Sequence, residues 1–184
     1  MEKNTTRTKK RLLLIFIMCI LTVVFFRSFV FTDYEVEGES MMPTLQDGNL
    51  LLVNKVGARF GDLKRFDIVV FQGVSDNYVK RIIGLPGDYL EYIDDTLYIN
   101  EKKVEEPFLS TYKLKLVGGK LTGDFSLEEI TGESVVPKDS YFVIGDNRLG
   151  SWDSRHYGFI KKDQIVGKVN LRYWPPGDWY IDFD

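Results

Sequence analysis

At 184 residues, 44% apolar and 28% charged, the chain has material for one globular domain and a short appendage, not for two independent cores. The net charge of −3 hides a split: the first eleven residues carry +4, leaving −7 for the other 173. An acidic main body excludes a nucleic-acid surface there. A single cysteine (Cys19) and a single histidine (His156) exclude a disulfide and argue against a metal centre, and no cofactor is expected.

The chain opens with a basic tail, residues 1–11, ending in Lys9, Lys10 and Arg11. Then follows LLLIFIMCILTVVFFRSFVF (12–31), apolar at 17 of 20 positions. As a helix this stretch spans roughly 30 Å, the thickness of a bilayer's hydrocarbon core. Acidic residues Asp33, Glu35, Glu37 and Glu39 follow it, so the positive-inside rule keeps the tail in the cytoplasm and puts residues 32–184 outside. Arg27, near the far end, would snorkel to the interface. A cleaved export signal and a buried core helix are the competing readings. The first lacks an A-x-A-like exit, since the stretch ends FFRSFVF, and the second lacks an amphipathic stripe.

Beyond the span, short β-type runs recur between turn residues: YEVEG (34–38), NLLLVNKV (49–56), FDIVVFQ (66–72), YVKRIIG (78–84), DYLEYI (88–93), TLYIN (96–100), YFVIG (141–145) and IVGKVNLRYW (165–174). A hairpin is expected across Asp94–Asp95. Eight short strands without a long amphipathic helix predict a mainly-β domain, a coiled and partly closed barrel behind one transmembrane helix. Residues 105–137 show weak periodicity and read as an exposed excursion.

Three segments carry candidate chemistry. GESMMPTL (38–45) puts Ser40 between Gly38 and Pro43, a tight turn of the kind a nucleophilic serine needs. Alone, a serine so flanked is more often a turn residue bonding its own backbone. In YVKRIIGLPGD (78–88), strand alternation puts Lys80 on one face with Tyr78 and Ile82, and Arg81 on the other with Val79 and Ile83. Most strand lysines point to water; a buried one would lose its proton more easily. At an unperturbed pKa only about one lysine in 2,500 is neutral at pH 7, a handicap of about 4.6 kcal/mol for a base. Arg81 reads as a structural ion-pair partner. IGDNRLGSWDSRHYG (144–158) is a loop dense in hydrogen-bonding groups, with an Asp153–Arg155 pair to shape it and a Ser151 hydroxyl to orient a lysine.

SMxPTL, YVKRxxGLPGD and GDNRxxSxDSRxxG, in that order behind one N-terminal span, closely resemble the type I signal peptidases, in their compact Gram-positive form. The resemblance implies a Ser–Lys dyad in which Ser40 attacks the scissile carbonyl, neutral Lys80 takes its proton and Ser151 holds the Lys80 amine. It also implies cleavage of leader peptides after small residues in an A-x-A pattern. The implied partners are signal peptides of exported preproteins, the lipid bilayer and the vicinity of the export channel. Met41, Leu45, Tyr78 and Val79 match positions lining the pocket for the residue before the cut, and Tyr34 and Val36 those around the pocket two residues upstream. Asp146, Asp153 and Arg155 match structural or electrostatic positions. Gram-negative members have a serine two residues before the nucleophile that contributes to the oxyanion hole. Here that residue is Gly38, so the Ser40 backbone N–H is left as the expected donor.

His156 is a rival base, because histidine has the better intrinsic pKa and eukaryotic relatives use His where bacterial ones use Lys. The C-terminal Tyr173, Trp174, Trp179 and Tyr180 suit either a membrane interface or a cap on the core. A non-catalytic tethered β-domain is the reading from another class, and it leaves Ser40, Lys80 and Ser151 without a joint purpose.

Overall fold

The computed structural model describes residues 2–116 and 118–176. It begins with helix α1 (Glu2–Phe29), of which Lys9–Phe29 is long and apolar enough to cross a membrane and is not buried against the rest of the protein. Lacking a polar stripe, this helix has no face that a soluble core could select. The Arg27 guanidinium pairs with the Asp33 carboxylate just past its end.

Strand β1 (Phe31–Glu35) starts at once, earlier than the expected run 34–38. Val36 to Gly38 leave the strand because Gly38 turns the chain at φ +83° and the Gly48 N–H bonds back to the Val36 carbonyl. β2 (Leu50–Asn54) gives way to a short helix, α2 (Lys55–Phe60), where the Asn54 side chain accepts from the Gly57 N–H. β3 (Ile68–Gln72) and β4 (Asn77–Gly84) follow. β5 (Leu90–Ile93) and β6 (Thr96–Ile99) pair through Asp94 and Asp95, both at positive φ as a two-residue hairpin turn requires. Then come β7 (Lys102–Val104), α3 (Ser110–Lys115), β8 (Phe125–Ser126), α4 (Leu127–Thr131), β9 (Ser140–Ile144), α5 (Ser154–Tyr157), β10 (Ile160–Lys161) and β11 (Ile165–Trp174).

Two antiparallel sheets result, one in the order β1-β2-β11-β3-β4-β9-β10 and one in the order β7-β6-β5-β8. Register shifts in β11 and near the end of β4 bend the large sheet, yet β1 and β10 remain its edges and no closed barrel forms. Val36, Met41, Leu45, Val53, Val70 and Val79 pack on one face of this sheet. Val69, Phe71, Ile82, Tyr141 and Val143 pack on the other. β4 is therefore covered on both faces from Val79 onward, which is why its middle cannot alternate apolar and polar.

Most described residues of 105–137 are exposed or half-buried, but the segment is anchored at several points. Glu106, Leu109, Leu121, Thr122, Leu127 and Val136 are buried. Glu106 pairs with Arg148, both side chains being essentially inaccessible, and Arg148 also donates to Tyr92 Oη at 3.0 Å and Thr122 Oγ1 at 2.8 Å. The segment thus ties the small sheet to the loop after β9, and its spacing shows no period because much of its burial is against other parts of the chain. Of the C-terminal aromatics, Trp174 is half exposed and Tyr173 Oη donates to Asp33 Oδ1 at 3.3 Å. Trp179 and Tyr180 lie outside the described residues.

Removing one partner of the buried pair strands a charge in the interior. Glu106→Ala is expected to destabilise the detergent-solubilised protein by about 3–5 kcal/mol in urea unfolding followed by tryptophan fluorescence. A loss below 1 kcal/mol would show the pair to be peripheral.

Candidate active site

Ser40 lies in the turn between β1 and β2, and the turn is pinned from below and from the side. Met41 and Leu45 sink fully into the core, and the Leu45 N–H bonds to the Met41 carbonyl at 3.0 Å. Asp47 Oδ1 accepts from the Gly38 N–H at 2.6 Å. From the loop after β9, the Asn147 N–H donates to the Ser40 carbonyl at 3.1 Å, and Thr44 Oγ1 donates to Asp146 Oδ2 at 2.5 Å. A side chain at 38 would find open space, but the positive φ strains any L-residue, so backbone geometry accounts for glycine where a hydroxyl is missing. The Ser40 N–H has no acceptor among the described residues.

Lys80, on β4 opposite Val69, is 3% exposed, and its Nζ lies 2.6 Å from Ser40 Oγ. Burial pushes the ammonium down to a pKa of about 8, against the opposing pull of the Asp153 and Asp146 carboxylates. Arg81 turns to the other side and grips Asp146 with two hydrogen bonds of 2.9 and 2.8 Å, both side chains fully buried. Its guanidinium also donates to the Phe66 carbonyl and lies over the Phe108 ring.

Asp153 caps α5 and pairs with Arg155 at 2.9 Å. Burial alone would raise its pKa, but the Arg155 guanidinium and the Gly145 N–H outweigh that and hold the carboxyl below its ordinary value. The Ser151 hydroxyl adds to this pull, yet it is buried and reaches no partner with hydrogen-bond geometry, Lys80 included. A Cβ on Gly145 would collide with both Ser151 Oγ and the Ser40 carbonyl, so this glycine sets how closely the two serine segments approach.

The site opens into a cleft of about 750 Å³. Tyr78 and Lys80 line it together with Val74, Trp152, Tyr157 and Phe159. Tyr34, Val36, Met41, Leu45 and Val79 instead form the apolar floor under the turn, with Tyr34 Oη donating to the Asn77 carbonyl at 2.6 Å. Sequence reasoning missed Val74 and Trp152, although Trp152 stands inside a quoted motif. It also missed Thr44, two residues from Met42. His156 is engaged elsewhere: its ring stacks on Trp152 at 4.1 Å and its Nδ1 accepts from the Asp153 N–H, with no bond to Ser40 or Lys80.

A buried amine in contact with a serine hydroxyl beside a cleft, on a β-domain behind an apolar helix, is an arrangement in which a serine can be activated as a nucleophile. Residues 9–174 match the family described as Signal peptidase, peptidase S26. The chain is 58% identical over 159 residues to signal peptidase I of Bacillus caldolyticus, covering 86% of this chain and 87% of that one. It is 50% identical over 155 residues to signal peptidase I V of Bacillus subtilis, covering 84% and 92%. It is 46% identical over 162 residues to signal peptidase IB of Staphylococcus aureus strain MRSA252, covering 85% and 84%. The crystal structure of a signal peptidase I from Enterococcus faecalis aligns with a TM-score of 0.56 at 43% identity, over 58% of this chain and 96% of that one. The chain belongs to the signal peptidase family S26 and is a serine peptidase.

Holding Lys80 in the interior should destabilise the fold. Unfolded, the amine keeps its proton up to about 10.5; folded, only up to about 8. Between those values the unfolded chain binds more protons, so stability rises with pH across that window, and below it the burden is complete at about 3 kcal/mol. Lys80→Met is therefore expected to be the more stable protein in urea at pH 7, with its advantage shrinking towards pH 10.5. A variant less stable than the parent at pH 7 would contradict this.

Proposed function

We propose that this signal peptidase is a membrane-anchored endopeptidase that removes N-terminal signal peptides from exported preproteins with a Ser–Lys dyad. The observation that carries it is the 2.6 Å approach of a buried Lys80 amine to Ser40 Oγ. At pH 7 a pKa of about 8 leaves roughly a tenth of Lys80 neutral, some two hundred times more than an ordinary lysine.

In the forward step Ser40 Oγ attacks the scissile carbonyl while Lys80 Nζ takes its proton. The oxyanion meets the Ser40 N–H, which has no competing acceptor among the described residues. The Lys80 ammonium then protonates the leaving amine, and water, deprotonated by the same lysine, releases the acyl group. In this reading Ser151 is the orienting group; its buried hydroxyl, without a hydrogen-bond partner among the described residues, is what supports that role. Asp146 with Arg81, and Asp153 with Arg155, keep the loop rigid and touch no substrate.

Substrate is taken after A-x-A-like sites. Tyr78 borders the subsite for the residue before the cut, with Met41, Leu45 and Val79 behind it and Tyr34 and Val36 under the subsite two residues upstream. In this reading residues 1–11 stay in the cytoplasm, 12–31 cross the cell membrane and 32–184 work on its outer face, near the export channel. The exposed apolar span within α1 and the +4 carried by residues 1–11 support that arrangement.

Detergent-solubilised protein incubated with a preprotein should cut it, with Ser40→Ala and Lys80→Ala each reducing the rate by at least about 10³-fold and His156→Ala by less than tenfold. For the active enzyme kcat/KM should rise with pH and level off above about 8, because the neutral amine is the working form. Loss of activity in His156→Ala with retention in Lys80→Ala would overturn the dyad.

A further inference from the structure

A second cleft, of about 660 Å³, is unlike the first: Lys55, Arg59, Lys138, Lys161 and Lys162 line it, against only Asp139 and Asp163. A net +3 is concentrated here on a body that is acidic overall. The side chains of Lys138, Lys161 and Lys162 enter no ion pair among the described residues, although two aspartates stand in the same lining. Uncompensated cations held together repel one another and favour an anionic ligand.

Two observations indicate where such a ligand would come from. Lys55 Nζ donates to the Ser28 carbonyl at 2.8 Å, and the Lys55 N–H donates to the Val30 carbonyl at 2.9 Å. One wall of the cleft is thereby tied to the last turn of α1, at the level where the apolar segment ends. Beside Lys55, Val56 projects its side chain 40% exposed, an apolar group next to cations such as a headgroup layer accommodates. The segment 160–165 also joins the two clefts. Ile160 and Gln164 line that of Ser40, while Lys161, Lys162 and Ile165 line the basic one.

We propose that the basic cleft between α2 and the β10–β11 connection binds the phosphate headgroup of an anionic phospholipid, and so holds the catalytic cleft at the bilayer surface. The inference rests on α1 being a membrane anchor. Lipid contact through 160–165 would fix the height and tilt of the Ser40 cleft where a membrane-embedded leader presents its cleavage site. Coulomb attraction near an anionic surface is additive over several lysines and falls within a Debye length, so exposed cations suffice.

The test places the full chain in lipid nanodiscs of phosphatidylcholine alone or with about one-third phosphatidylglycerol, a composition at which several surface lysines give tenfold effects. Amide hydrogen exchange over 138–140 and 160–166 should slow by about fivefold or more in the anionic discs. The triple variant Lys138→Glu, Lys161→Glu, Lys162→Glu, all at solvent-accessible positions, should lose that difference. It should also lose any gain in preprotein cleavage given by the anionic lipid, while cutting a short soluble peptide as the parent does. Equal exchange in the two lipids overturns the proposal, as does equal protection by inorganic phosphate in phosphatidylcholine discs, which would make the site one for free anions. The exchange readout needs no catalysis, so an inactive parent would count against the dyad and leave the lipid result standing.

Discussion

The proposed dyad depends on one physical constraint: the Lys80 amine is held, largely buried, against Ser40 Oγ. In water the amine would be charged and useless as a base at neutral pH. The fold meets this by covering both faces of β4, so that Lys80 is only 3% exposed where it borders the cleft. The carboxylates of Asp146 and Asp153 oppose that effect, since both favour the ammonium. Each is already committed to an arginine, Asp146 to Arg81 and Asp153 to Arg155, which leaves desolvation dominant.

The same pairs make the geometry rigid. Arg81 follows Lys80 in the chain and projects oppositely, so one strand sends a basic side chain to each side, the first to Ser40 Oγ and the second to Asp146 of the loop that holds the Ser40 turn. Asp146 receives Arg81 and Thr44 together, joining β4, the Ser40 turn and the β9 loop at one carboxylate. The Asn147 N–H and the tight approach at Gly145 complete that clamp. Arg148, next in sequence, reaches away to Glu106, so the small sheet braces the loop after β9 from behind. Gly38 is the concession: the backbone turn that delivers Ser40 requires positive φ, and the site forgoes a side-chain hydroxyl there.

Sequence carried the site's ingredients better than its walls. Ser40 and Lys80 each read alone as structural, and they stood out, with the 144–158 loop, only because the three motifs together resemble a known family. The Asp94–Asp95 hairpin and most strands followed from alternation and turn chemistry. Glu106 was invisible because its meaning depends on Arg148, 42 residues away. The start of β1 at Phe31 was hidden because an apolar residue there continues the helical span as readily as it begins a strand. Which residues face the cleft depends on how the sheet bends, and no period in the sequence encodes the bulges in β11. Val36, Met41 and Leu45 thus became floor, while Val74 and Trp152 became wall.

The protonation of Lys80 itself decides the central claim. With lysine labelled at Cε and Nζ, the Lys80 signal can be assigned by its loss in Lys80→Met and titrated by NMR in the detergent-solubilised full chain. A midpoint near 8, well separated from the other lysines, is the expected result. A midpoint at or above 10 would mean that the amine is solvated and charged at working pH, and Lys80 would then be no base for Ser40.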